Sequence, residues 1–147
     1  MFRLTHHWRG TTTPADYARD AEARAEGKPL IPLTTGWGDG ATPDRWNPED
    51  TLGASLAQCH TLTFLALAHK VRLDVTAIDT EVQVELGTVE RTTSVERITL
   101  AATIRVAAGS DPAKAAEMYH KAHRYCFIAN SLRSEVVLSP TVEIEAR

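Results

Sequence analysis

The sequence predicts an α+β fold in a single domain covering residues 1–147. Two stretches carry apolar residues at helical spacing, and each opens with a capping residue followed by proline. Elsewhere the apolar pattern has a period of two, the signature of half-buried strands. The resulting order is strands, helix, strands, helix, strand, which differs from the strict alternation that builds a parallel α/β sheet. With 43% hydrophobic and 24% charged residues, a chain of 147 residues can bury a core without covalent staples.

The first strand is expected over Phe2–Gly10, with His6, His7 and Trp8 at its centre. Residues 11–28 are polar. Alanine, Glu and Arg at 18–26 support a helix by propensity, although the stretch also suits a polar connection between strands. Leu30–Thr34 reads as extended, and Pro29 and Pro32 place it at a sheet edge. Residues 35–48, with three Gly, two Pro, two Asp and an Asn, form a loop. Trp37 and Trp46 lie within it, where a tryptophan commonly packs over a core or the rim of a pocket.

A helix follows from Asn47, which suits the cap. Pro48 fits its first position, and Glu49 and Asp50 favour the positive end of its dipole. Leu52, Leu56, Cys59, Leu62, Leu65 and Ala66 recur near helical spacing, and Phe64 and Leu67 broaden the apolar surface. A helix this apolar is expected to be central and to end near 69–72. Val82, Val84 and Leu86 then alternate with Glu81, Gln83 and Glu85. Ile98, Leu100, Ala102, Ile104 and Val106 make one face of a second strand. The two should pair antiparallel through a turn at Arg91–Ser94. Asp111 and Pro112 open a second helix with Ala115, Met118, Ala122, Tyr125 and Cys126 on one face and His120, His123 and Arg124 on its flank. The last strand runs over Glu135–Glu145, with Pro140 bending it or holding it at an edge.

A net charge of -3 leaves no basic footprint for nucleic acid. No run approaches the roughly 18 apolar residues of a membrane span. The first ten residues lack an apolar core of the signal-peptide kind, so no secretory signal is expected. A cytoplasmic protein with reduced thiols is the expectation. No G-x-S-x-G occurs. Gly36, Gly38 and Gly40 alternate with no lysine or phosphate-loop helix after them, so no nucleotide cofactor is expected.

Cys59 and Cys126 are the two thiols. Each occupies the face its helix would turn inward. Packed helices would bring them within disulfide range, about 4.4–6.8 Å between Cα atoms. Free cysteine is also a common small core residue, so inert thiols and a reactive pair both fit the spacing. A reactive thiol needs a cation or a helix N-terminus, and Arg19, Arg45, His60, His123 and Arg124 are the candidates. Glu49 can orient such an arginine. It stands about 15 Å along a continuous helix from Cys59, and Gly53 is where that helix would break. Cys59-His60 and His120-x2-His123-x2-Cys126 hold zinc-type ligands, but steps of three spread them over about 120° of a helix, which disfavours a metal.

The segment Asn47-Pro48-Glu49 to Cys59-His60, together with Cys126 in HRYCFIANS, resembles the signature of the OsmC/Ohr family of thiol peroxidases. The likeness spans about residues 5–145. It implies an OsmC-like fold, two central helices wrapped by antiparallel sheets, in an intertwined homodimer with active sites at the subunit interface. It implies that Cys59 is the peroxidatic thiol and Cys126 the resolving thiol, joined as a disulfide during turnover. An arginine paired with Glu49 would hold the thiolate. Arg19 fits best and Arg45 is the alternative. The family's substrate would be an organic hydroperoxide, desolvated here by Leu56, Phe64, Phe127 and Trp46, and its reductant a small dithiol of lipoyl type. His60 departs from the aromatic residue common after this cysteine, and can support the thiolate or alter substrate choice. A small-ligand-binding protein without peroxidase activity and a metal-binding or structural protein are the alternatives.

Overall fold

The structure, a computed structural model, describes residues 1–38 and 40–146. The chain divides into two compact units, Met1–Leu52 and Gly53–Arg147.

In the first unit, β1 (Thr5–Trp8), β2 (Ala21–Arg24) and β3 (Ile31–Leu33) form an antiparallel sheet in that order. The helix that propensity allowed at 18–26 is therefore a strand. Ala21–Arg24 pairs on both sides, and those ladder bonds outweigh the weak helix preference of Ala, Glu and Arg. Pro32 sits on the edge strand, as expected. Leu33 makes an isolated parallel bridge with Trp46, which fixes the far end of the Gly-rich loop. Trp37 and Trp46 are 61% and 49% exposed, so neither is packed over the core of this unit.

Helix α1 runs over Pro48–Lys70. Asn47 and Asp50 cap it reciprocally: Asp50 N–H donates to Asn47 Oδ1 at 2.7 Å, and Asn47 N–H donates to Asp50 Oδ2 at 3.2 Å. The break at Gly53 that a direct contact between Glu49 and Cys59 would need does not occur. Gly53 is glycine for a packing reason, because a Cβ there would stand 3.0 Å from Val84 Cγ2 and 3.1 Å from Val82 Cγ1.

In the second unit, β4 (Val75–Val89) and β5 (Thr92–Val106) pair antiparallel, and β6 (Glu135–Ile144) pairs parallel to β5. The expected all-antiparallel wrapping is thus corrected to a mixed sheet. The reason lies in connectivity. Between β5 and β6 the chain crosses over through helix α2 (Pro112–Tyr125), and parallel neighbours need such a crossover. The hairpin turn is Glu90-Arg91 rather than Arg91–Ser94, with Thr92–Ser94 already in β5. Asp111 caps α2 by accepting from Ala113 N–H at 2.9 Å, with Pro112 at the first position. The expected face of β5 is the core: Ile98, Leu100, Ala102, Ile104 and Val106 are at most 2% exposed. Of these, Ala102, Ile104 and Val106 pack with Phe64 and Ala68 of α1 and Ala115, Met118, Tyr119 and Ala122 of α2. On the other face, Arg97 bridges Glu85 and Glu135, and Arg105 bridges Asp79 and Glu143, so each arginine ties all three strands.

The face of α1 differs from the expected one. The buried stripe is Gly53, Leu56, His60, Phe64 and Ala68, whereas Leu62 and Leu65 are exposed. Apolar residues surround most of this helix, so periodicity does not select one side. On α2, Tyr119 is buried and Tyr125 exposed, while His120, His123 and Arg124 lie on the solvent side as expected.

Candidate active site

Two cysteines mark the site within Gly53–Arg147. Cys59 is partly exposed on α1, and Cys126 is buried at the C-cap of α2; both thiols are free. The fold sets them beside one another. Burial pushes the Cys126 thiol up to about 11, and the neighbouring Cys59 adds to the rise as hydrogen-bond partner and as charge. The backbone N–H groups of Ala129 and Ile128 pull the other way. Those residues open a 3₁₀ turn, Ala129–Ser131, which Ser131 closes by donating its N–H to the Ile128 carbonyl at 2.9 Å, while Asn130 N–H donates to the Cys126 carbonyl at 3.0 Å. The pair therefore has one accessible sulfur and one shielded, neutral sulfur.

His60 follows Cys59 but turns inward. It is fully buried, its ring 4.3 Å from that of Tyr119 in an edge arrangement. Burial lowers its pKa to about 4, the His123 and His120 charges contribute, and the Tyr119 backbone only partly opposes the fall. Neither ring nitrogen has a hydrogen-bond partner among the described residues. A neutral, inward imidazole is not a cation for the thiolate, so that expected role is corrected. Leu56 and Phe64 are also fully buried, on the same i, i+4 stripe as His60, and belong to the core rather than to an open lining. Phe127 is 81% exposed. Among the described residues no group of three or more His, Cys, Asp or Glu is arranged to hold a metal ion. Among the described residues no helix is long and apolar enough to cross a membrane.

The candidate arginines and Glu49 lie in the first unit, Trp46 with them. Arg45 is engaged: its Nε pairs with Asp20 Oδ2 at 3.4 Å and its Nη1 donates to the Ala21 carbonyl at 3.4 Å. Arg19 is different. Its guanidinium rests 4.5 Å over the Tyr17 ring, and its buried Nη1 has no hydrogen-bond partner among the described residues. Arg19 and Glu49 do not form an ion pair with one another in this structure. Of the two arginines, Arg19 is the one with a buried donor that has no partner among the described residues. Tyr17 went unremarked in the sequence, although an aromatic two residues before an arginine is a visible cue. Tyr119 also carried a signal, lying four residues after Ala115 on the inward face.

Comparison with known proteins bears on the family and the fold. The family model described as OsmC-like protein matches residues 39–141. No curated protein matches the chain. Among solved structures, an OsmC-like protein of unknown function from Vibrio cholerae is similar at 26% identity, with 96% of this chain and 99% of that one covered and a TM-score of 0.86. An organic hydroperoxide resistance protein from Elizabethkingia anophelis shares 20% identity over 99% and 98% of the two chains, with a TM-score of 0.70. OhrB of Bacillus subtilis, also an organic hydroperoxide resistance protein, shares 20% identity over 97% and 98%, with a TM-score of 0.67. The paired cysteines, the element order and a family match over most of the chain lead to one assignment: this protein belongs to the OsmC-like family.

Proposed function

We propose that the protein is a cysteine-based, dithiol-dependent peroxidase that reduces organic hydroperoxides. The neighbouring thiols carry this reading, one partly exposed and one buried. The Cys59 thiolate attacks the outer oxygen of the hydroperoxide. The O–O bond breaks, the alkoxide leaves and takes a proton, and Cys59 becomes a sulfenic acid. Cys126 then attacks the Cys59 sulfur, the S–O bond breaks, and water leaves as the disulfide forms. Oxidation turns Cys59 from a thiolate into a neutral group, which removes its upward push on the Cys126 thiol. A small dithiol of lipoyl type exchanges with the disulfide, becomes oxidised, and restores both thiols.

The family resemblance supports Arg19, oriented by Glu49, as the cation for the thiolate, and the commitment of Arg45 to Asp20 favours Arg19 over it. Phe127 offers apolar contact to an alkyl tail, which is the physical reason to prefer organic hydroperoxides over hydrogen peroxide. The protein acts as a cytoplasmic homodimer.

The test is a free-thiol count and intact mass before and after one equivalent of tert-butyl hydroperoxide. Both thiols are expected to disappear without intermolecular cross-linking. Cys126→Ser should stop at a sulfenic acid on Cys59, and Cys59→Ser should not react. Two free thiols after minutes of exposure would end the peroxidase reading and leave a ligand-binding protein.

A further inference from the structure

The Gly-rich loop is more than a connection. We infer that Gly40 and Gly36 are positioning residues for the peroxidase reaction: they keep clear the space in which the Arg19 guanidinium and the Glu49 carboxylate are held. The inference rests on the peroxidase reading, and every contact that carries it lies within Met1–Leu52.

A Cβ on Gly40 would overlap Nη1 of Arg19 and stand 3.1 Å from its Cδ and 3.3 Å from its Cγ. A Cβ on Gly36 would stand 3.0 Å from Oε2 of Glu49. Neither glycine has the positive φ that would demand glycine for backbone reasons; Gly38, between them, has φ +84° and open space around it. The two outer glycines of the alternating set thus answer to side-chain proximity, and the middle one to the turn.

The loop cannot easily retreat from an added methyl. Thr34, 8% exposed, donates its hydroxyl to the Gly40 carbonyl at 3.5 Å and accepts from Thr42 N–H at 3.1 Å. Thr42 donates its own hydroxyl to Asp20, whose two carboxylate oxygens lie at 2.9 Å. Asp20 is the neighbour of Arg19, and Arg45 pairs with it. The loop is therefore tied to Asp20, the residue next to Arg19 in the segment that leads into β2. Trp46 N–H donates to the Pro32 carbonyl at 3.0 Å, and Thr34 N–H donates to the Trp46 carbonyl at 2.9 Å, so the loop's far end is fixed as well. With the backbone held and Tyr17 beneath the guanidinium, the movable part is the tip of Arg19. A methyl at position 40 displaces that tip and leaves the fold standing.

The test is a double-mutant cycle on the second-order rate at which tert-butyl hydroperoxide oxidises Cys59. Gly40→Ala is expected to slow oxidation about 10- to 100-fold, the scale set by a displacement of about 1 Å in a positioned group. In an Arg19→Ala background the same change should have no further effect. The pH at which the rate reaches half its plateau should rise in Gly40→Ala, while the urea midpoint stays at the wild-type value. Tyr17→Leu adds nothing to the crowded loop and serves if Gly40→Ala does not fold. It should slow oxidation at least about threefold by freeing the guanidinium, and again only when Arg19 is present. Wild-type rates in Gly40→Ala, or an equal loss with and without Arg19, would overturn the positioning role while leaving the peroxidase reading intact. A wild-type protein that consumes no hydroperoxide would overturn both.

Discussion

At the scale of single residues, His60 is the costliest feature of the core. An imidazole with both nitrogens buried and unbonded loses its hydration without replacement, a penalty of about 1–3 kcal/mol. The fold accommodates it only as the neutral ring. Its pKa falls to about 4 in the folded chain from an ordinary value near 6.5. Between those values the unfolded chain binds a proton that the folded chain refuses. Stability is thus full above pH about 6.5 and is lost as the pH falls toward 4, by about 3 kcal/mol in total. Urea midpoints at pH 7.5 and 4.5, at one protein concentration, measure the loss. His60→Leu should raise the midpoint at pH 7.5, because two unbonded polar atoms disappear, and should flatten the acid dependence. An unchanged acid slope in that variant would assign the loss to other groups. The histidine itself is visible in the sequence, but the inward stripe of α1 is not. That His60 belongs to it was hidden because adjacent Cys59 carries equal claim to an apolar face and the helix has apolar residues on most sides.

At the scale of elements, the hairpin between β4 and β5 shows what alternation encodes and what it omits. The core face of β5 was legible to the residue, since every second side chain from Ile98 to Val106 is apolar and a slip by one would expose them all. The turn was not, because its residues lack the usual signal. Glu90 and Arg91 have φ of 48° and 67°, the left-handed pair that a two-residue hairpin turn demands and that Asn-Gly adopts at least cost. Two side chains there are strained by the contact of Cβ with the carbonyl. Replacing Glu90-Arg91 by Asn-Gly should therefore stabilise the protein by about 1–2 kcal/mol, read as a higher urea midpoint with an unchanged slope. Gly53 makes the opposite case. Its place in the middle of α1 weakens the helix, yet Val82 and Val84 occupy the space a side chain would need. Gly53→Val should destabilise by about 1–3 kcal/mol through overpacking, and more than its helix propensity returns. The parallel docking of β6 was likewise implicit: a helix between two strands of one sheet is a crossover, and its consequence for strand direction follows from chain geometry rather than from any residue in β6.

At the scale of the whole molecule, the apolar surface left uncovered in Gly53–Arg147 is the feature to explain. Leu62 and Leu65 on α1, Tyr125 at the end of α2 and Phe127 just after it are 56%, 38%, 46% and 81% exposed. Scattered single exposures need no cause, but one long helix with leucines on both its buried and its open sides does. The sequence shows the excess plainly and for the same reason hides which side faces inward: a helix with apolar residues all round offers periodicity no side to select. Where the chain divides into two compact units was not legible either, since the boundary at Leu52 and Gly53 falls inside a helix without a linker's composition. The proposed homodimer accounts for the open leucines. Sedimentation equilibrium at micromolar concentration should give a dimer for the wild-type chain. Leu62→Glu, which places a charge on the open side and leaves the buried stripe of α1 untouched, should weaken association at least about 100-fold, since a buried charge without a partner costs several kcal/mol. Its far-ultraviolet circular dichroism should match the wild type. A monomeric wild type would leave this surface to a different partner, and a dimer undisturbed by Leu62→Glu would move the contact to another face of the chain.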